Sequence, residues 1–192
     1  MPQSNKAEVI GRVCAALVEE SRATAAGIAR AEYPWSPRFV AKRGYSKTSA
    51  LRIFIRDGFI DRYFGSQLVF PGTLLILAQV MPNEFPSNAT WKVSKSHEVF
   101  WELWPAIDHL VPMARGGSND DSNLFSTSTL HNNAKSHWLP EELGWTLHPA
   151  GDIKKWDGLL HWFNGYVQRH PELLAIRQIK DWHKAAKANV FA

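Results

Sequence analysis

The stretch that decides the fold runs from Ala106 to Trp138 and reads AIDHLVPMARGGSNDDSNLFSTSTLHNNAKSHW. Apolar residues flank the polar pair Asp108 and His109, which predicts that the pair lies at the end of a β-strand. A proline and two adjacent glycines follow and favour a loop, which the short polar side chains after them can fix by local hydrogen bonds. At such a strand end, a carboxylate can bind a hard cation and the neighbouring imidazole can act as a base.

The second half of this stretch predicts a strand followed by a helix. The second strand begins at residues 123–125, and residues 127–138 are expected to form a helix with Ser126 or Thr127 as its N-cap. On that helix, Asn132 and Lys135 are three residues apart and therefore share one face. The predicted order of elements is strand, loop, strand and helix.

The flanking sequence is mostly helical in pattern. Hydrophobic spacing predicts five further helices, at residues 6–31, 48–57, 95–104, 152–169 and 171–187. Residues 59–70 alternate in hydrophobicity around Gly65 and predict a β-hairpin with strands 59–64 and 67–70. Residues 73–81 are apolar and fit either a short buried helix or a strand. The fold class expected from these patterns is α+β.

Composition excludes several classes of protein. The chain has 192 residues, of which 45% are hydrophobic and 21% are charged, so a disordered chain does not fit. No apolar run reaches the roughly 20 residues of a membrane-spanning helix. A single cysteine, Cys14, excludes a disulfide framework, and the N-terminus has no apolar signal-peptide core. A cytoplasmic location is expected.

Positive charge is concentrated in one region. Between Arg30 and Arg62 there are eight basic and three acidic residues, a local charge of +5, whereas the whole chain carries +4. Aromatic side chains are interleaved with these cations, a mixture typical of nucleic-acid contacts. The candidate DNA-binding residues are Arg38, Lys42, Arg43 and Lys47. A solvated cationic face over an aromatic core explains the same composition.

Residues 106–138 resemble the ββα-metal motif of the HNH endonuclease family. The running pattern of that family is Asp-His, a proline three residues later, Gly-Gly, Asn-Leu, and Asn-x-x-Lys on the helix. Every element is present in register: Asp108-His109, Pro112, Gly116-Gly117, Asn123-Leu124, Asn132 and Lys135. The resemblance implies an HNH nuclease core with an upstream β-hairpin and flanking amphipathic helices.

The resemblance also implies roles for individual residues. His109 is expected to be the general base that deprotonates water, and Asp108 and Asn132 are expected to hold Mg²⁺, for which Mn²⁺ or another divalent cation could substitute. Asn123 is expected to fix the loop so that His109 faces the water. Four further residues are candidates for a metal or phosphate contact: His131, Lys135, Arg115 and His137.

A second match lies in the predicted hairpin. Many HNH nucleases carry two Cys-x-x-Cys pairs around a structural zinc, the first in a hairpin that begins Arg-Asp-Gly-Phe, as residues 56–59 do here. The four cysteine positions are occupied by Asp61, Phe64, Ser128 and His131. Phenylalanine cannot ligate zinc and serine rarely does, so no structural zinc is expected.

These observations predict three parts of the chain. Residues 1–46 are expected to form an N-terminal helix and a basic, aromatic loop, and residues 141–192 a helical extension. Residues 47–140 between them are expected to form the nuclease domain. Within this domain, the hairpin lies at 59–70, an insertion at 71–105 and the catalytic ββα unit at 106–138. The amphipathic helices at both ends fit either a homodimer interface or packing onto the same chain.

The expected function is metal-dependent hydrolysis of DNA phosphodiester bonds. A nucleic-acid-binding module that kept the fold but lost the chemistry is an alternative, and so is a nuclease that cuts RNA with the same centre. The sequence alone leaves the target and the biological role open.

Overall fold

The computed structural model describes residues 5–35, 44–88, 90 and 92–190. The chain divides into two compact units, residues 1–39 and 40–192. The first contains helices α1 (Lys6–Val18) and α2 (Arg22–Glu32). The second contains α3 (Lys47–Arg56), α4 (Pro71–Val80), α5 (Val99–Glu102), β1 (Pro105–His109), β2 (Leu124–Ser128), α6 (Thr129–Lys135), α7 (Leu160–Arg169) and α8 (Arg177–Val190), with short 3₁₀ turns between them.

The prediction of one continuous helix over residues 6–31 is wrong, because the first unit contains two helices. Helix α1 ends at Val18, and Glu20 adopts a left-handed conformation with φ 56° before α2 begins. An ion pair between Arg12 and Glu32 joins the two helices. The sequence has neither glycine nor proline at this break, so the apolar spacing alone suggested a continuous helix.

The core of the second unit is aromatic and draws on the whole of this unit. Its buried residues include Phe54, Phe59, Phe70, Phe163 and Trp182. Because α7 and α8 supply the last two, residues 141–192 pack against the predicted nuclease region and do not form a separate part. The apolar stripe of α8 is thereby buried within the same chain.

The C-terminal helices differ in extent from the sequence prediction. Helix α7 begins at Leu160 and not at 152, because the Asp157 carboxylate accepts hydrogen bonds from the backbone N–H groups of Leu159 and His161, both at 2.8 Å. Pro171 opens a 3₁₀ turn that ends at Ala175, and α8 follows it. The predicted helix over 171–187 is therefore two elements.

The predicted hairpin at 59–70 is reduced to a turn with one β-bridge, between Ile60 and Gln67. The second predicted strand pairs elsewhere, since the N–H of Val69 donates to Leu103 and that of Phe70 donates to Gly158. The ambiguous apolar segment is helix α4. The helix expected at 95–104 is a 3₁₀ turn at Val93–Lys95 followed by the single helical turn of α5. No helix among the described residues is long and apolar enough to cross a membrane.

Two antiparallel strands carry the candidate site. Asp108 pairs with Phe125 and His109 pairs with Leu124, so the polar pair lies at the end of β1. Asp57 connects α3 to β2: its carboxylate accepts hydrogen bonds from the Ser126 backbone at 2.7 Å and from Arg62 at 3.0 Å. Helix α6 follows β2 directly, with the Ser128 hydroxyl as its N-cap where Ser126 or Thr127 was expected.

Candidate active site

Asn123 fixes the loop that connects β1 to β2. Its side-chain oxygen accepts a hydrogen bond from the Val111 N–H at 2.8 Å, and its Nδ2 donates to the carbonyls of Val111 at 3.0 Å and Ser118 at 2.8 Å. Gly117 permits this close approach, because a Cβ atom there would lie 1.7 Å from the Val111 carbonyl oxygen. Asn123 therefore fixes the loop by local hydrogen bonds, and its role in turning His109 toward the water stays a prediction.

His109 is buried, with 1% of its surface exposed, and its two ring nitrogens have different surroundings. Nε2 lies 2.9 Å from the side-chain oxygen of Asn119 and 3.1 Å from the hydroxyl of Tyr45. Nδ1 is buried and has no hydrogen-bond partner among the described residues. Since a carbonyl oxygen can only accept, the contact with Asn119 assigns the proton to Nε2 and leaves the lone pair on Nδ1.

Asp108 belongs to a buried ion pair. Its Oδ2 accepts a hydrogen bond from the Tyr63 hydroxyl at 2.6 Å and lies 2.8 Å from the Nζ of Lys135. The same ammonium donates to the His109 carbonyl at 2.7 Å. Burial, together with the charge of Asp108, raises the pKa of Tyr63 far above its ordinary value, so the phenol stays protonated and continues to donate.

This pairing changes the role that the sequence suggested for Lys135. None of its surface is exposed, so its ammonium is not available for a phosphate contact in this conformation. A lysine on a short helix is ordinarily solvent-exposed, and the sequence predicted either such an exposed lysine or a phosphate contact. In the folded chain, Lys135 joins α6 to the end of β1 instead.

The four positions that match the zinc cysteines come together in space. The Asp61 carboxylate lies 2.6 Å from His131 Nδ1 and accepts a hydrogen bond from the Ser128 N–H at 2.8 Å. The ring of Phe64 stacks on the imidazole of His131, with 3.9 Å between centroids. Burial raises the pKa of Asp61, but its hydrogen bonds from His131, Ser128 and Tyr63 outweigh that effect and leave it below the ordinary value. We call these four residues the knuckle cluster.

The remaining candidates lie in several environments. His131 belongs to the knuckle cluster. Arg115 pairs with Glu142 at 3.0 Å, and His137 stacks on Trp138. The ammonium of Lys47 lies 3.1 Å from Asp181 and above the ring of Trp182, so it is already paired. The other three proposed DNA-binding residues, Arg38, Lys42 and Arg43, lie outside the described residues.

Asn132 lines a cleft beside β1. The other residues that line this cleft are Tyr45, Lys47, Ala50, Phe54, Pro105, Ile107 and Trp182, and its volume is about 310 Å³. Since Tyr45 also contacts His109, the cleft adjoins the histidine. The Asn132 side chain has no hydrogen-bond partner in the described parts of the chain.

The side-chain oxygens of Asp108 and Asn132 are of the chemical type that binds a divalent cation. Carboxylate and amide oxygens are suitable ligands for Mg²⁺. Both contacts of the Asp108 carboxylate go to Oδ2, and within the described residues nothing donates to Oδ1. The described part of the chain holds no cluster of three or more histidine, cysteine or acidic residues around a common point. Asp108 and Asn132 stay the predicted ligands, and the Lys135 ammonium lies where it would compete with a cation for Asp108.

Sequence reasoning missed Tyr45, Tyr63 and Asn119. The two tyrosines contact residues 64 and 45 positions away, and local patterns do not report such contacts. Asn119 lies within the polar run of the loop, directly before the residues that were expected to fix it. Its position ten residues after His109, on a loop that folds back to β1, is the signal that could have identified it.

Comparisons of this chain with family models, with curated proteins and with solved structures return no match.

Proposed function

We propose that this chain is a metal-dependent endonuclease of the HNH type that hydrolyses phosphodiester bonds in DNA. The observation that carries the proposal is the buried Nδ1 of His109, which has no partner among the described residues while Nε2 is held by Asn119. An unpaired polar atom in a buried position is costly, so its presence at the end of β1 favours a role in chemistry.

In the proposed reaction, His109 Nδ1 accepts a proton from water as the water oxygen attacks phosphorus. The bond between phosphorus and the 3′ oxygen breaks, and the 3′ oxygen leaves. Asn119 and Tyr45 hold the imidazole, and Asn123 holds the loop beside it. A cation held by Asp108 and Asn132 would supply charge neutralisation at the phosphoryl oxygens and at the leaving oxygen.

The knuckle cluster supports the family resemblance independently of the catalytic residues. Asp61 and Phe64 are about 70 residues away in sequence from Ser128 and His131, and yet Asp61 contacts both of these residues and Phe64 stacks on His131. If these four positions correspond to the zinc-binding cysteines of the family, they must lie close together in space. Local sequence composition gives no reason to expect this proximity. Hydrogen bonds and ring stacking hold these four positions together in the folded chain.

A nucleic-acid-binding module without catalytic activity is the second candidate. The buried pair of Asp108 and Lys135 favours it, because a resident ammonium lowers the affinity of that carboxylate for a divalent cation. The two candidates differ in one measurable property, which is metal-dependent cleavage.

Cleavage of plasmid DNA, single-stranded DNA and RNA, each with and without Mg²⁺, distinguishes the two candidates. We expect cleavage of DNA by the parent protein in Mg²⁺, and loss of about a hundredfold or more in His109→Ala, the usual effect of removing a general base. His161→Ala, which removes an exposed histidine, is the matched control and should cut at the parent rate. Cleavage by His109→Ala above about a tenth of the parent rate would contradict the assignment of the base, and cleavage of RNA alone would contradict DNA as the substrate.

A further inference from the structure

A second cavity lies between α4, α8 and the chain that leads into β1, and two tryptophans line it. Its volume is about 480 Å³, which is within the usual range of sites that hold a small organic ligand. The residues that line it include Leu75, Ser87, Asn88, Trp104, Gln178 and Trp182. We call this space the tryptophan cavity.

The tryptophan cavity adjoins the cleft beside the candidate active site. Lys47 and Trp182 line both spaces. Trp104 of the tryptophan cavity is followed directly in the chain by Pro105, which lines the cleft. The cleft itself reaches the candidate base through Tyr45. A ligand group in the tryptophan cavity is therefore a direct neighbour of a group bound in the cleft.

The tryptophan cavity is close to electrically neutral. Lys47 is the one charged side chain among the described residues that line it, and its ammonium is paired with Asp181 at 3.1 Å. Phosphate groups are bound chiefly by the positive charge of lysine and arginine. Because the charge of Lys47 is already matched, the cavity suits an uncharged ligand group better than a phosphate.

The polar side chains of the cavity can both donate and accept hydrogen bonds. Ser87 and Gln178 have no side-chain hydrogen-bond partner among the described residues. The side-chain oxygen of Asn88 accepts from the Thr90 hydroxyl at 2.7 Å, which leaves the Asn88 Nδ2 as a donor. A nucleobase has donors and acceptors on its edge and flat faces that stack on aromatic side chains. Two indoles and three polar side chains therefore match a nucleobase in chemical type.

From these observations, and on the basis of the proposed function, we infer that the tryptophan cavity binds an unpaired nucleobase of the DNA strand, next to the phosphate in the cleft. A regular duplex offers no base to the cavity, because its bases are paired and stacked inside the helix. Taking a base out of the stack costs least where the base is already unpaired. The inferred substrate is therefore DNA with an unpaired nucleotide beside the scissile phosphate.

Binding of three fluorescent duplexes, measured by anisotropy in EDTA, tests this inference. The first carries one unpaired adenine, the second carries an abasic residue in its place, and the third is fully paired. The abasic duplex keeps the backbone and its charge and lacks only the base. The parent protein should bind the first duplex about tenfold more tightly than the other two, the usual order of effect for stacking one base on aromatic side chains. Equal affinity for the first two duplexes, or no binding to any of the three, would overturn the inference.

Two variants test whether this preference resides in the tryptophan cavity. Trp104→Leu should reduce it to about twofold or less, and Gln178→Ala, which removes an exposed carboxamide, should lower it about threefold. The controls Trp162→Leu and Gln168→Ala change exposed residues of α7 that do not line the cavity, and they should keep the full preference. Thermal melting confirms that each variant is folded. Full preference in both cavity variants would overturn the inference, and so would equal losses in the cavity variants and their controls.

A free nucleotide is the other source of the same base. Competition with dAMP distinguishes it from a base within the strand. We expect dAMP to displace the first duplex only weakly, because the strand also binds in the cleft. If dAMP binds as tightly as the first duplex does, the cavity takes a free nucleotide and the inferred substrate is wrong.

The binding arms separate failure of this inference from failure of the proposed function, because they do not require catalysis. If the parent prefers the unpaired adenine and the cavity variants lose that preference, but no divalent cation supports cleavage, the cavity stands and the nuclease activity does not. If the parent cuts DNA but shows no preference, the nuclease stands and this inference is wrong. When both hold, the cut in Mg²⁺ should map to a phosphate that flanks the unpaired adenine, and cuts confined to distant positions would overturn the adjacency.

Discussion

Two polar clusters attach to the same pair of strands, and they differ in how completely their hydrogen bonds are satisfied. In the knuckle cluster, the Asp61 carboxylate accepts from Tyr63, Thr127, Ser128 and His131. At the end of β1, by contrast, His109 keeps one buried nitrogen without a described partner. A satisfied buried network stabilises a fold, whereas an unsatisfied atom in an otherwise well-bonded site is available for chemistry.

The comparison predicts that removing one partner from a buried, fully bonded pair mainly affects stability, in either cluster. The largest effect is expected for Lys135→Met, which leaves the buried Asp108 carboxylate without its cation. Breaking a buried pair in this way costs about 3 to 5 kcal/mol of the free energy of unfolding. Urea denaturation measures the change, with Lys155→Met, an exposed lysine, as the control. An unchanged free energy of unfolding would show that the ammonium is not the partner of Asp108.

Asp61→Ala is expected to cost about 3 kcal/mol, because it leaves several buried donors unpaired. Glu84→Ala, which removes an exposed carboxylate, should be close to neutral. The fraction of Asp61→Ala that is folded should cleave at the parent rate, since the cluster is structural. A loss of catalytic rate per folded molecule that exceeds the loss of folded protein would contradict the division between the two clusters.

The effect of Asp61 should depend on pH. The pKa of Asp61 is lowered in the folded protein, so its stabilising contribution is fully present above the ordinary carboxyl pKa and is lost as the pH falls through the lowered value. The difference in unfolding free energy between the parent and Asp61→Ala should therefore shrink below about pH 4. A difference that stays constant at acid pH would contradict the assignment of Asp61 as an ionised acceptor.

Asn119→Ala tests the unsatisfied cluster directly. Removal of the acceptor at Nε2 should lower kcat about tenfold to a hundredfold with a smaller change in KM, because the imidazole loses its orientation and its assigned proton position. Asn119→Asp retains an acceptor and should recover most of the rate, with the acidic limb of its pH profile moved to higher pH. Asn133→Ala, an exposed asparagine on α6, is the control. Equal rates in Asn119→Ala and the control would show that Asn119 does not position the base.

The last prediction is that removal of metal by a chelator has no effect on stability. Because the knuckle cluster is held by hydrogen bonds and ring stacking, the purified protein should contain no stoichiometric zinc, and a strong chelator should not change its melting temperature. Elemental analysis and melting curves with and without chelator measure this. One zinc per chain, or a lower melting temperature in chelator, would contradict the prediction.

Much of the candidate site could be predicted from the sequence because its signals are local. The end of β1 at His109, the loop fixed by Asn123 and the helix that carries Asn132 all follow from turn residues and short polar motifs within 33 residues. The proximity of the knuckle positions was implied by the family pattern. The continuous helix over residues 6–31 was wrong because no sequence signal marks the left-handed Glu20.

The rest depends on distant parts of the chain. The partners of His109 and Asp108 come from Tyr45 and Tyr63, which reach the strands only after the chain has folded. The buried state of Lys135 depends on Asp108, and no helical pattern distinguishes a buried lysine from an exposed one.

The most direct test of metal-dependent cleavage follows supercoiled plasmid over time with purified protein in Mg²⁺ and in EDTA. The chain carries one Asp-His, Asn and Asn-x-x-Lys array, so a monomer should first convert supercoiled plasmid to open circles in Mg²⁺ and should do nothing in EDTA. Linear product without an open-circle intermediate from a protein shown to be monomeric would contradict one cut per centre. No conversion in Mg²⁺ or Mn²⁺ by protein that binds the plasmid, or cleavage that persists in EDTA, would contradict a metal-dependent nuclease.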